Sequence, residues 1–251
     1  MDSYQISQAY RTYYVIHPFR YHSTKRAIQI IIGLNTVVFG AWAFAETTRN
    51  QKLYQYLHKN ALLSWANVKA KHYWTLVTSA FSHQNILHFM FNMISLNAFA
   101  SVFLYTAGVG LGAGHVVALT LGSALSGSFA FLYGRWSAAK SKDARFGPYG
   151  QHTTTLSQAG LGASGVVMGF SAAATCLAPF TPMSFMMIPV PVPMFVLTGA
   201  YFVLDVVLLG SNDRVGHDAH IGGAVFGLFY YFAALREYGG VTDLIRRRWM
   251  R

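Results

Sequence analysis

The chain is poor in the residues that mark a disulfide-stapled, metal-bound or soluble protein. Its 251 residues include a single cysteine, Cys176, so neither an internal disulfide nor a cysteine-built metal site can form. Cys176 lies in an apolar run and reads as a small buried hydrophobe. Charged residues make up 11% of the chain, against roughly 25% in a soluble domain. Acidic residues are the scarcer sign: 8 Asp and Glu stand against 19 Lys and Arg, for a formal net charge of +11. That balance suits nucleic acid or an anionic membrane surface. The basic residues, however, are scattered between apolar runs, with no basic helix and no aromatic-interleaved strand pattern, so no nucleic-acid partner is expected. The first 26 residues are polar and aromatic without a short apolar core, so no signal peptide is expected. No repeat and no low-complexity tract is present, and one domain is expected.

Apolar residues are abundant, at 53%, together with 23 Gly and 16% aromatics. Glycine lets helices approach closely in lipid, and aromatic rings settle at the membrane interface. Six apolar segments stand out, at 27–45, 85–107, 109–133, 163–180, 194–209 and 219–235, each near the ~20 residues that cross a bilayer as a helix. The expected fold is all-α: a polytopic membrane protein with a polar N-terminal tail over 1–26, a six-helix domain over 27–236 and a basic C-terminal tail over 237–251. Pro189, Pro191 and Pro193 forbid a regular helix just before the fifth span. Between the first two spans, residues 46–82 mix Tyr54, Tyr56, Leu62, Leu63, Trp65, Tyr73 and Trp74 with five Lys and Arg, and read as an amphipathic segment lying at the interface. The connection 135–162 is polar and rich in Gly, Ser and Thr. Six spans put both termini on one side, where nine Lys and Arg face ten on the other, so charge does not choose the orientation.

Polar groups inside spans are costly and mark chemistry or helix contacts. The second span carries His88 and Asn92, four apart on one helix face, with His83 just before it. The third carries His115, which reads as a packing histidine. The fourth opens with Gly162, Ala163, Ser164 and Gly165. Ser164 at a helix start meets unsatisfied N–H groups and a positive dipole end, which suit an oxyanion. Gly162, Ala163 and Gly165 around it leave room for a substrate backbone. His220, opening the sixth span, is the candidate base. Gly223 and Gly227 follow on its face, and Gly165 and Gly169 form a matching pair on the fourth span, so close packing of these helices would bring His220 toward Ser164. His88 and Asn92 are candidate oxyanion donors, their rival reading being a helix–helix polar contact. Asp218, two residues before His220, points off its face. A Ser–His dyad without an acid is therefore expected, with Asp205 of the fifth span structural or gating and His217 open in role. His83, His88 and Asn92, or His217 with His220, could be drawn as metal ligands. No HExxH pattern is present and no carboxylate sits at ligand spacing, so neither metal nor cofactor is expected.

The run from Gly162 to Gly165 resembles the rhomboid GxSG motif. Ala219, His220, Ile221, Gly222 and Gly223, followed by Gly227, resemble the family's AHxGGxxxG motif, and His83 with His88 to Asn92 resembles its HxxxN helix. The resemblance covers about 27–236. It implies an intramembrane serine endopeptidase: Ser164 attacks a peptide bond near the end of a substrate transmembrane helix, His220 moves the proton, and the Ser164 N–H with His88 and Asn92 holds the oxyanion. The implied partners are transmembrane protein substrates and the bilayer. Within the family, the stretches Thr78 to His83, Leu161 to Gly165, His217 to Gly223 and Ile188 to Phe195 are similar to the mitochondrial presenilin-associated branch, which implies the inner mitochondrial membrane; another cellular membrane is the alternative. That branch carries an extra helix before the core, whereas this chain starts 26 residues before its first span. Bacterial relatives often have an aromatic one turn after the nucleophile; here that position is Met168. The alternatives are a non-catalytic rhomboid-like protein that binds transmembrane clients, disfavoured by the presence of both Ser164 and His220, and a small transporter or channel, which would not explain their pairing.

Overall fold

The computed structural model describes residues 18–105, 111–140, 158–185, 188–209, 211 and 215–249. Most of the expected polar tail (1–17), the middle of the polar connection (141–157) and the facing ends of the second and third spans (106–110) lie outside the described residues.

Helix α1, Pro18–Thr47, holds the first apolar run, starting nine residues before it and ending two after it. Pro18 stands at the first helical position, where its missing N–H is no loss, and Lys25 and Arg26 are good helix formers that carry the helix beyond the apolar run. Three short helices follow in the connection: α2 Gln51–Asn60, α3 Trp65–Lys69 and α4 Thr75–Thr78, the last running into a 3₁₀ turn at Ser79–Phe81. Asn50 and Ser64 cap α2 and α3 by accepting from the N–H groups of Leu53 and Asn67. The connection is pinned to α1 by Trp42, fully buried, whose indole N–H donates to Ser82 Oγ at 2.6 Å.

Helices α5, Ile86–Tyr105, and α6, Ala113–Lys140, follow. Helix α6 continues seven residues past the apolar segment that ends at 133. Gly134 is accommodated within the helix, and the Lys140 ammonium sits 4.0 Å above the Trp136 ring, one turn back. Three helices, over 19–47, 86–105 and 113–140, are long and apolar enough to cross a membrane. Helices α7, Ser164–Leu177, and α8, Met194–Val207, are apolar but only 14 residues each. Helix α9, His217–Tyr230, continues through a π turn at Tyr231–Leu235 and a 3₁₀ turn at Arg236–Tyr238.

The expected all-α fold takes in one small sheet. Strands β1, Pro182–Phe185, and β2, Ile188–Pro193, pair antiparallel immediately before α8. The prolines that exclude helix there are compatible with a two-stranded ribbon, whose outer edges need no donors. The basic C-terminal tail forms helix α10, Val241–Trp249.

Helix α7 is the centre of the fold. Eleven of its residues are buried, and α5, α6, α8 and α9 pack around it, with α1 against α5 and α6. The core joins Leu96, Phe99 and Phe103 of α5, Val116 and Leu119 of α6 and Phe170 of α7.

Candidate active site

At 1.5 Å per residue, α7 is about 21 Å long, well short of the roughly 30 Å hydrocarbon layer, while α6 reaches about 42 Å. Helix α7 is therefore too short to cross such a layer end to end. At its start opens a cavity of about 860 Å³, lined by Ser79, His88, Ser164, Gly165, Ala219 and His220 among others. Ser164 is the first residue of the helix. Its N–H and that of Gly165 have no carbonyl preceding them in the helix, and the positive end of the helix dipole points the same way.

The turn before Ser164 is clamped by the segment between α1 and α5. Gly160 and Leu63 exchange two backbone hydrogen bonds of 2.8 and 2.9 Å, and the Gly162 N–H donates to Ser79 O at 3.0 Å. The Ala163 N–H donates to His83 Nε2 at 3.2 Å. His83 is fully buried, and burial, with His88 nearby, lowers its pKa to about 3. It is thus neutral, as an acceptor at Nε2 must be, with its proton on Nδ1. Gly162 has φ +122°, and a Cβ there would stand 2.6 Å from the His88 ring. Only glycine permits both the turn and the approach of His88.

The glycine stripes do what their spacing implies. A Cβ on Gly223 would collide with the Gly165 carbonyl oxygen, and one on Gly227 with that of Gly169. The backbones of α7 and α9 touch at both levels, and this contact sets His220 at the same cavity as Ser164. Asn92 is buried, but one of its amide hydrogens is donated to His88 O at 2.8 Å within α5, and it is not among the cavity-lining residues. Met168 is buried one turn below Ser164. His115 packs as expected, its Nδ1 2.9 Å from the Tyr230 hydroxyl.

The expectation that no acid stands behind His220 requires correction. Asp205 Oδ1 lies 2.8 Å from His220 Nδ1 and 2.7 Å from His217 Nδ1. Spacing along α9 ruled out Asp218, correctly: it faces away and pairs with Arg135 at 3.8 Å. The carboxylate comes instead from α8, a tertiary contact that no spacing encodes. The signal was Asp205 itself, the one acidic residue inside its apolar run, since a carboxylate in an expected span is a candidate functional group. The same contact supplies the carboxylate that the sequence lacked at ligand spacing, for Asp205, His217 and His220 place three donor atoms within 4.8 Å of one another. The Nδ1–H tautomer of His220, donating to Asp205, leaves Nε2 with a lone pair.

The family model described as "Rhomboid domain" matches residues 70–237. The chain belongs to the rhomboid family. This rhomboid is 28% identical over 221 residues to Rhomboid protein 1, mitochondrial, of Saccharomyces cerevisiae, covering 86% of the chain and 56% of that relative. It is 30% identical to RHOMBOID-like protein 12, mitochondrial, of Arabidopsis thaliana, over 78% of the chain and 55% of the relative. It is 28% identical to Presenilin-associated rhomboid-like protein A, mitochondrial, of Danio rerio, over 82% of the chain and 47% of the relative. The chain thus spans about half the length of these curated relatives. Mitochondrial relatives and membrane-length apolar helices together make this rhomboid an integral membrane protein of the mitochondrion.

Proposed function

We propose that this rhomboid is an intramembrane serine endopeptidase of the inner mitochondrial membrane that cuts transmembrane-helix substrates. The observation that carries the reading is one cavity holding Ser164 at a helix N-terminus and His220 with its Nδ1 on Asp205. In this reading α1, α5, α6, α7, α8 and α9 are six membrane spans, and α2 to α4 form the interfacial segment.

His220 Nε2 takes the proton of Ser164 Oγ as the oxygen attacks the scissile carbonyl carbon. The resulting oxyanion is held by the Ser164 N–H at the dipole end of α7 and by His88, both at the same cavity. His220 then returns the proton to the leaving amine, and water entering the cavity hydrolyses the acyl-enzyme by the same route. Asp205 is a positioning residue, holding His220 in the Nδ1–H tautomer and stabilising the imidazolium as it forms. Gly162 and Gly165, which line the cavity, give the substrate backbone room to lie against the turn.

The test is cleavage of a tagged single-span membrane protein by the purified chain in liposomes, beside Ser164→Ala and His220→Ala. Cleavage by the wild type and its loss in both variants is the expected outcome. Failure of the wild type across several helix-destabilised substrates, with the chain folded, would replace this reading with a client-binding rhomboid that does not cut.

A further inference from the structure

The group behind His220 holds more than a serine hydrolase requires. One imidazole on one carboxylate is enough to orient a base; here His217 and His220 both direct Nδ1 at the same oxygen of Asp205. His217 lines no part of the cavity around Ser164. Asp205 and His217 are each 5% exposed, whereas His220 opens onto the cavity and gives the cluster a route to water. The donors come from two helices, Asp205 from α8 and both imidazoles from α9.

We infer that Asp205, His217 and His220 form a site for a divalent transition metal such as zinc, whose occupancy switches the protease off. The site stands on geometry alone; only its consequence rests on the function proposed above. Two imidazoles and a carboxylate are a donor set suited to zinc, copper or nickel, while magnesium and calcium take oxygen ligands. Zinc–ligand bonds of about 2.0–2.2 Å put tetrahedral ligands about 3.3 Å apart, so each imidazole would retreat from Asp205 by about half an ångström while the two Nδ1 atoms, within 4.8 Å of each other, settle to the same spacing. Three protein ligands leave one position for water.

The switch follows from which nitrogen is used. A metal takes the Nδ1 lone pair of a neutral ring. Each ring now donates its Nδ1 proton to Asp205, so binding moves that proton to Nε2 of the same ring, with no net proton released. Nε2 of His220 is the atom that would take the proton of Ser164. Once it carries its own proton it cannot act as a base, and kcat falls while the substrate cavity is unchanged.

Binding and inhibition separate in the test. Co²⁺ is titrated into the full chain carrying Ser164→Ala, in detergent, and the visible absorption of four- or five-coordinate cobalt is read. One equivalent should bind, and adding His217→Gln should weaken binding about tenfold or more. On the Ser164-intact chain in liposomes, Zn²⁺ should lower kcat with KM held, and EDTA should restore it. His217→Gln should cleave normally without Zn²⁺ and resist its addition. Absence of the cobalt band, or a band and an inhibition that His217→Gln leaves unchanged, overturns the site. A wild type that cleaves nothing removes the protease reading, while the cobalt band still decides the metal site.

Discussion

Hydrogen-bond direction at two histidines sets what each can do. His220 must donate at Nδ1 to leave Nε2 free, and Asp205 is the group that enforces this. Asp205→Asn keeps the shape, but an Asn amide can donate to Nδ1 and favour the wrong tautomer. We expect kcat to fall about 10²- to 10⁴-fold with little change in KM. Near-wild-type turnover would mean that His220 is oriented by something else. His83 works the opposite way, accepting from the Ala163 N–H at Nε2, which requires a neutral ring. Its folded pKa of about 3 lies below the unfolded value of 6.5, so the unfolded chain binds the extra proton first. The stability associated with the neutral ring is complete above about pH 6.5 and is lost as pH falls toward about 3. His83→Ala should destabilise by about 1–3 kcal/mol at neutral pH, by leaving the Ala163 N–H without its acceptor. The melting temperature of the variant in detergent should also fall less steeply than that of the wild type between pH 6.5 and 3. An equal acid slope in both would show that His83 is not the titrating group.

The elements of the site were unevenly legible. The contact of α7 with α9 could be read in advance, because glycines four apart on two spans have few uses other than close approach. Gly165 and Gly169 meet Gly223 and Gly227 as that pattern implies. Asp205 was visible as an anomaly but not as a partner of His220, since its neighbour is set by how α8 leans on α9. The β1–β2 hairpin was legible only as an absence of helix, for prolines state what the backbone cannot do. Helices α1 and α6 outran their apolar runs because hydrophobicity marks the lipid, not the last helical hydrogen bond. The clamp on the turn before Ser164, made by backbone groups of Leu63 and Ser79, leaves no side-chain signature. The glycine contact can be tested by contrast within the chain. Gly223→Ala forces two backbones apart and should cost about 3 kcal/mol in unfolding assays. Gly199→Ala, in α8 where a Cβ meets nothing within 4 Å, should be neutral or stabilise by about 0.5–1 kcal/mol. Equal effects would mean that α7 and α9 are not in backbone contact.

For the whole molecule, the function proposed above raises the question of how a substrate helix would reach a serine enclosed by other helices. Helix α8 is the least embedded candidate to move. Of its residues only Met194, Thr198 and Asp205 are buried, and Val203 and Val207 are 61% and 72% exposed. Thr198 Oγ1 accepts from Thr175 Oγ1 of α7 at 2.8 Å, and a proline-rich ribbon leads into the helix. Displacement of α8 from α5 would therefore break few contacts and open the cavity toward lipid. The same displacement would carry Asp205 away from His220, so an open gate would hold a poorly oriented base until α8 closes over the substrate. A reducible crosslink between α5 and α8 should abolish cleavage of a transmembrane substrate and release it again on reduction. A short water-soluble peptide, entering from the aqueous side, should still be cut by the crosslinked chain, because Asp205 then remains in place. Cleavage of the transmembrane substrate at an undiminished rate in the crosslinked protein would place substrate entry between other helices.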